Sequence, residues 1–244
     1  MASDSDNEGP PGHVLDNPVW HALIGPQRSF GRATALAARY QSDISPFGAL
    51  AANVTGAHWV HLAELVGPRG TVSLTGDPPE PPPTWTVTRE TAGIQLVFEG
   101  DPDMLASSAG RGGRDGDVEG LGPEDVPAML RLVEVAQPGP FRSRTVRFGG
   151  YVGIRHQGHL VAMVGERLRP PGYAEISALA TDPAHRNQGL ASRLVRVVAN
   201  GIVRRGEVPF LHASSTNTDA IRLYESLGFT VRRNVVFVLV RAPG

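Results

Sequence analysis

The chain has 244 residues, a net charge of −1 and no cysteine. That length buries enough apolar surface for one large or two small domains without covalent staples, and the missing thiols exclude disulfides, thiolate metal sites and a cysteine acyl-enzyme. All 23 basic residues are arginine, which excludes any mechanism built on a phosphate-loop, Schiff-base or general-base lysine, while near-neutral charge gives no reason to expect nucleic acid or membrane partners.

Residues 1–12 are polar and acidic with Pro and Gly, the composition of a disordered tail. They show no basic-then-apolar leader pattern, and the longest aliphatic or aromatic run, 235–240, is far too short to span a bilayer, so the protein is read as cytoplasmic. Residues 13–100 are expected to form an N-terminal α+β region with a helix-like stretch at 28–40 and strand-like stretches at 58–66, 84–88 and 93–99. The proline-rich 77–83 segment joins two of these as a stiff loop. Apolar segments such as Trp59-Val60 and 94–98 are too few for an independent core. The region is therefore expected to pack on the C-terminal half of the chain and to help shape a pocket there. His58 and His61 fall on opposite faces of the expected strand, with no cysteine or carboxylate cluster beside them, so no metal is expected.

Residues 101–120 are rich in Gly, Asp, Ser and Arg, which places a flexible linker at 101–117 and a second domain at 118–244. A helix is expected over 124–134, with Val126, Met129, Leu130 and Val133 at helical spacing and Pro123 in its first turn. Residues 150–154 and 159–166 read as a strand pair across the turn His156-Gln157-Gly158. A strand over 173–181 runs into Asp182-Pro183. The next helix starts near Gly189 and ends at Gly206, with a stripe of Leu190, Leu194, Val197, Val198 and Ile202 and a last turn holding Arg204 and Arg205. A strand at 209–213 precedes a helix opened by Thr216 and Asp219 and closed by Gly228, and 230–241 finishes as one long strand or a hairpin. Alternating strands and helices predict an α/β fold around a sheet of mixed strand direction.

The loop Arg186-Asn187-Gln188-Gly189-Leu190-Ala191 joins a strand to a helix. Helix N-termini carry unpaired amides and positive partial charge, so this turn suits a pyrophosphate. Taken alone, the pattern also fits an ordinary tight turn. With the run Glu175-Ile176-Ser177-Ala178-Leu179-Ala180-Thr181-Asp182-Pro183 before it, and Asn217, Ala220-Ile221, Leu223-Tyr224 and Gly228-Phe229 after it, the chain resembles the GNAT superfamily of acyl-CoA-dependent N-acetyltransferases. The resemblance covers about 118–241. Segments 137–141 and 209–212 suggest a bacterial branch with an extra N-terminal region.

The resemblance implies a GNAT-type mixed, splayed sheet flanked by helices, with the N-terminal region packed on it. Strand 173–181 would part from strand 209–213, and the pantetheine arm of acetyl-CoA would lie in the gap against Leu179, Ala180 and Thr181. The amides of Arg186, Asn187, Gln188, Gly189, Leu190, Ala191 and Ser192 would hold the pyrophosphate, with Arg186 adding charge and Asn217 reaching the cofactor. The acceptor would be a primary amine of a small molecule, amino acid or peptide, attacking the thioester directly in a ternary complex. Such an amine must lose a proton before attack.

Glu175 is the candidate base, and strand alternation puts it on the face of Ser177 and Leu179; a salt-bridged or solvent-facing carboxylate is the alternative. Tyr224 is the candidate acid for the departing thiolate, and packing of its helix on the sheet is compatible with that role. The amide near Leu179 or Ala180 is the candidate oxyanion donor. His212, in an apolar strand, is expected as a satisfied core residue, and His185 as a surface loop residue. A non-catalytic acyl-CoA-binding or sensing module is the alternative function, and recruitment of a partner by 13–100 is a third. Monomer and homodimer are equally compatible with the sequence.

Overall fold

The computed structural model describes residues 12–106 and 117–244; the expected tail up to residue 11 and most of the expected linker, 107–116, lie outside the described residues. Helix α1 (Pro18–Ile24) precedes a small antiparallel sheet of β1 (Gly31–Ala33), β2 (Ala37–Tyr40) and β3 (Gly48–Leu50). Helix α2 (Gly56–Val66), β4 (Thr71–Gly76) and β5 (Thr86–Phe98) follow, then a single turn, α3 (Asp103–Ala106). The remaining elements are β6 (Val118–Gly120), α4 (Val126–Ala136), β7 (Val152–His156), β8 (His159–Glu166), β9 (Tyr173–Thr181), α5 (Leu190–Arg204), β10 (Val208–Ser214), α6 (Thr218–Ser226) and β11 (Phe229–Arg241). Eight strands form one sheet in the order β4-β11-β5-β10-β9-β8-β7-β6. Within it only β9 and β10 run parallel. The fold is the expected mixed α/β sheet flanked by helices.

Two N-terminal expectations are corrected. Residues 58–66 are helical, because Trp59 and Leu62 bury at helical spacing and Thr55 and His58 cap the start, with the Thr55 amide donating to His58 Nδ1 at 3.1 Å. The short apolar run satisfies both periods, and packing decides for the helix. Residues 28–40 form a 3-10 turn, Arg28–Phe30, and the β1–β2 hairpin. A Cβ on Gly31 would strike the backbone of Arg39, and that close approach fixes the hairpin there. His58 and His61 therefore share a helix and do not sit on opposite faces of a strand. His58 is committed to the cap, and among the described residues no group of three His, Asp or Glu could hold a metal ion.

The N-terminal region does more than rest on the sheet. Strand β5 lies between β10 and β11, with Leu96 opposite Leu211 and Glu90 opposite Val238, and β4 extends the sheet beyond β11. The center of the sheet therefore needs residues from both halves of the chain. Gly93 sits where three strands crowd: an added Cβ would lie 2.7 Å from Phe237 Cε2 and 2.9 Å from the Ala213 carbonyl oxygen. Gly93→Ala is expected to cost about 1–3 kcal/mol by overpacking, read as a lower urea midpoint; an unchanged midpoint would mean Phe237 yields freely.

The two faces of the sheet carry separate cores. Helix α5 buries Leu194, Val195, Val198, Ala199 and Ile202 against Ala174, Ile176 and Leu211, each large side chain contributing roughly 1.5–3 kcal/mol. Val197, expected in this stripe, is only half-buried, and Val195 and Ala199 face inward in its stead. Helix α4 covers the opposite face with Met129 and Leu132 over Met163 and Ala180. The cap of α6 is Asn217 and not Thr216: Asn217 Oδ1 accepts from the Ala220 amide at 3.2 Å. Residues 229–241 form one unbroken strand.

Candidate active site

β9 and β10 pair only from Tyr173 opposite Val208 to Ile176 opposite Leu211. Past that point they part, so among the described residues the β10-facing edge of residues 177–181 has no ladder partner, and its backbone groups are open to a ligand. On its other edge β9 slips register against β8, from Ser177 opposite Gly165 to Ala180 opposite Met163, and Ala178 takes a φ of 55° in the extra position. This β-bulge shifts the later side chains across the sheet. Leu179 packs with Ile176 against α5, while Ala178 and Ala180 face α4. The expectation that Leu179 shares a face with Glu175 is thus corrected, since simple alternation does not survive the bulge.

The parted strands border a cleft of about 970 Å³. One wall carries Leu179, Ala180 and Thr181 of β9. Arg186, Asn187, Gly189, Leu190, Ala191 and Ser192 continue it, and Asn217 closes it from the start of α6. Gln188 is exposed in the same loop and does not border the cleft. Gly189 is the N-terminal cap of α5 with φ 74°, in the left-handed region that favors glycine, and among the described residues no side chain caps the helix. The first-turn amides of α5 are consequently left for an anion. Arg186 reaches back to the Thr181 carbonyl with Nε at 3.5 Å, and Ser192 Oγ accepts from Arg196 Nη1 at 2.5 Å.

Tyr224 of α6 borders the cleft with its ring against Phe229, and among the described residues its hydroxyl has no hydrogen-bond partner. Burial pushes its pKa up to about 12.

Glu175 lies behind the cleft wall and is fully buried. Its carboxylate accepts from Arg167 Nε at 2.8 Å, Arg167 Nη2 at 2.5 Å and the Leu168 amide at 3.3 Å, and contacts His212 Nδ1 at 2.7 Å. Burial alone would raise its pKa; Arg167 and His212 outweigh burial and hold it down to about 2. A carboxylate so fully committed is a weak proton acceptor. His212 is bonded on both sides, as expected of a core residue: its Nε2 lies 3.2 Å from Gln95 Nε2. With Gln95 donating there, Nδ1 carries the proton toward Glu175. Gln95 also donates to the Leu15 carbonyl at 2.9 Å and accepts from Arg232 at 2.9 Å, tying the site to the N-terminal region. His185, expected at the surface, borders the cleft, and its Nδ1 is buried without a hydrogen bond among the described residues.

The opposite wall joins the N-terminal region, from which a contribution to a pocket is expected, to residues of the C-terminal half that sequence reasoning does not single out one by one. It comes from Phe47, Ser73, Arg89 and Thr91 of the N-terminal region together with Arg142 and Arg167. Gln27 supports it from behind, donating to the Arg167 carbonyl at 2.6 Å.

Residues 151–238 match the family of FR47-like proteins. A solved structure from Novosphingobium aromaticivorans, assigned to the GNAT acetyltransferase family, is 38% identical, covers 96% of this chain and 100% of its own, and superposes with a TM-score of 0.84. An N-alpha-acetyltransferase, RimI, of Mycobacterium tuberculosis is 38% identical over 82 residues, 32% of this chain and 51% of that enzyme. The chain thus spans about half the length of that relative. The [Ribosomal protein bS18]-alanine N-acetyltransferase of Escherichia coli is 28% identical over 127 residues, 48% of this chain and 84% of that enzyme.

Proposed function

The chain belongs to the GNAT acetyltransferase family, and from that premise we propose that it moves the acetyl group of acetyl-CoA to a primary amine by direct attack in a ternary complex. The observation that carries this reading is the parting of β9 from β10 after Ile176, which aligns an unpaired strand edge with the uncapped N-terminus of α5. An extended pantetheine arm can add to the open edge of Leu179, Ala180 and Thr181 as a strand would. The pyrophosphate then meets the first-turn amides of α5, with Arg186 beside it. An amide at the bulge, near Leu179 or Ala180, serves the tetrahedral oxyanion. Tyr224 protonates the departing thiolate.

Glu175 acts through its neighbors: it holds Arg167 and orients His212 at the back of the acceptor side. Glu175→Gln should therefore lower turnover evenly across pH. Recovery in alkali, where the amine deprotonates unaided, would return the base role to Glu175. The acceptor classes compatible with this site are small-molecule amines, amino acids and peptide N-termini, the last being the kind of group the bS18-alanine enzyme's name specifies.

The cofactor site is tested by melting the protein with and without acetyl-CoA. Ligand at about a hundred times its dissociation constant should add roughly 2.7 kcal/mol. In Gly189→Glu a carboxylate faces the pyrophosphate and a side chain enters a left-handed position, so the gain should fall to about half or less. A variant that is folded and keeps the full shift would place the cofactor elsewhere.

A further inference from the structure

The cleft is electrically lopsided. Among the described residues lining it, the one carboxylate is Asp219, at the start of α6 beside the cofactor wall, whereas the acceptor wall presents Arg89, Arg142 and Arg167. Arg167 spends Nε and Nη2 on Glu175, and its Nη1 has no hydrogen-bond partner among the described residues. The side chain is only 10% exposed and lies with Cζ 4.8 Å from the center of the Phe47 ring, so the free edge of the guanidinium is held rigidly at the wall. Arg89 and Arg142 make no ion pair with a described carboxylate. Asp43, the acid near Arg142, is taken by Arg144 at 2.7 Å.

Glu175 cancels the charge of Arg167 but not its remaining donors; Arg89 and Arg142 keep theirs in full. An amine arrives from water as a cation, and such a wall repels it. An acceptor that also bears an anion is drawn in instead, with planar guanidinium forks suited to a carboxylate. Given the N-acetyltransferase reading, on which this rests, we propose that the acceptor is an amino acid whose free carboxylate is received by Arg89, Arg142 and the outer edge of Arg167. The amine then lies toward Tyr224 and the thioester, and the arginines set the specificity of the site.

The experiment compares acetylation of the standard L-amino acids with that of their carboxamides, in wild type and in an Arg89→Gln/Arg142→Gln double variant, with the acetyl-CoA melting shift measured for both proteins. The two side chains are exposed, so the variant should fold. At least one acid should exceed its carboxamide by about tenfold or more in kcat/KM, although the carboxamide has the more easily deprotonated amine. The double variant should lose most of that preference through KM and keep its acetyl-CoA shift. Carboxamides used as well as acids, or no acid used while acetyl-CoA still stabilizes the protein, would overturn the proposal and favor a peptide N-terminus. Loss of the acetyl-CoA shift in the double variant would also overturn it, by assigning these arginines to the cofactor. Absence of the shift in wild type would sink the N-acetyltransferase reading itself, and this proposal with it.

Discussion

Glu175→Gln should lower the free energy of unfolding by about 3–5 kcal/mol, because it leaves the Arg167 guanidinium buried without its counter-charge. Glutamine keeps the shape of the side chain, so packing loss does not confuse the result. The same pair predicts an acid limb. The carboxyl has a folded pKa of about 2 against an ordinary 4.5, a depressed value. Its contribution is thus fully present above pH 4.5 and is lost as pH falls toward 2. Wild-type stability should drop through that window more steeply than that of the variant. Urea unfolding at pH 7 and at steps down to the lowest pH at which the protein still folds reads both effects. Should the variant fail to fold, the double change Arg167→Met/Glu175→Leu, which removes both charges and keeps volume, should recover much of the stability. A double variant as unstable as Glu175→Gln, or parallel acid limbs, would show that the ion pair is not what the site depends on.

How much of the molecule is legible in the sequence varies with how local the cause is. The strand 173–181, the hairpin across Gln157 and Gly158, and the helix beginning after Gly189 are written in alternation, turn residues and helical spacing, and all appear where expected. Helix α2 reads as a strand because its short apolar run fits either period, and the contacts that decide for the helix, with β2 and β3, lie outside the run itself. The cofactor wall is legible because a strand, a turn and a helix N-terminus are consecutive. The acceptor wall is legible only as a region and not residue by residue, since it joins residues from 47 to 167 through a sheet order that places β5 between β10 and β11.

The Arg167–Glu175 pair is an intermediate case. Once Gly165 is set opposite Ser177 and Glu166 opposite Ile176, the same register carries Arg167 to Glu175. A register assumed from the β8 and β9 boundaries would set Glu166 opposite Tyr173 and miss the pair, because the loop between the strands is not symmetric about them. The bulge at Ala178 gives no such signal, because nothing in an alternating apolar run announces an extra residue. It arises from the backbone the cleft requires, and it exchanges the faces of Ala178, Leu179 and Ala180.

For Tyr224→Phe the expected loss in turnover is about 10²-fold or more, with stability nearly unchanged. The ring keeps its contact with Phe229 in the variant, and the hydroxyl has no hydrogen-bond partner among the described residues, so removing it strands nothing. Burial keeps the phenol protonated to a pH of about 12. The acid is thus available across the working range, and no alkaline limb of the rate below that value belongs to it. As the tetrahedral intermediate collapses, the C–S bond breaks and the sulfur acquires charge that a phenolic proton neutralizes. A thiol of ordinary pKa, near about 8.5, needs that proton far more than an acidic aryl thiol does. The deficit of Tyr224→Phe should therefore shrink when acetyl-CoA is replaced by acetyl donors with more acidic thiols. An equal deficit for every donor, or a melting temperature lowered by several degrees, would make Tyr224 a packing residue and leave the departing thiolate to draw its proton from water in the cleft.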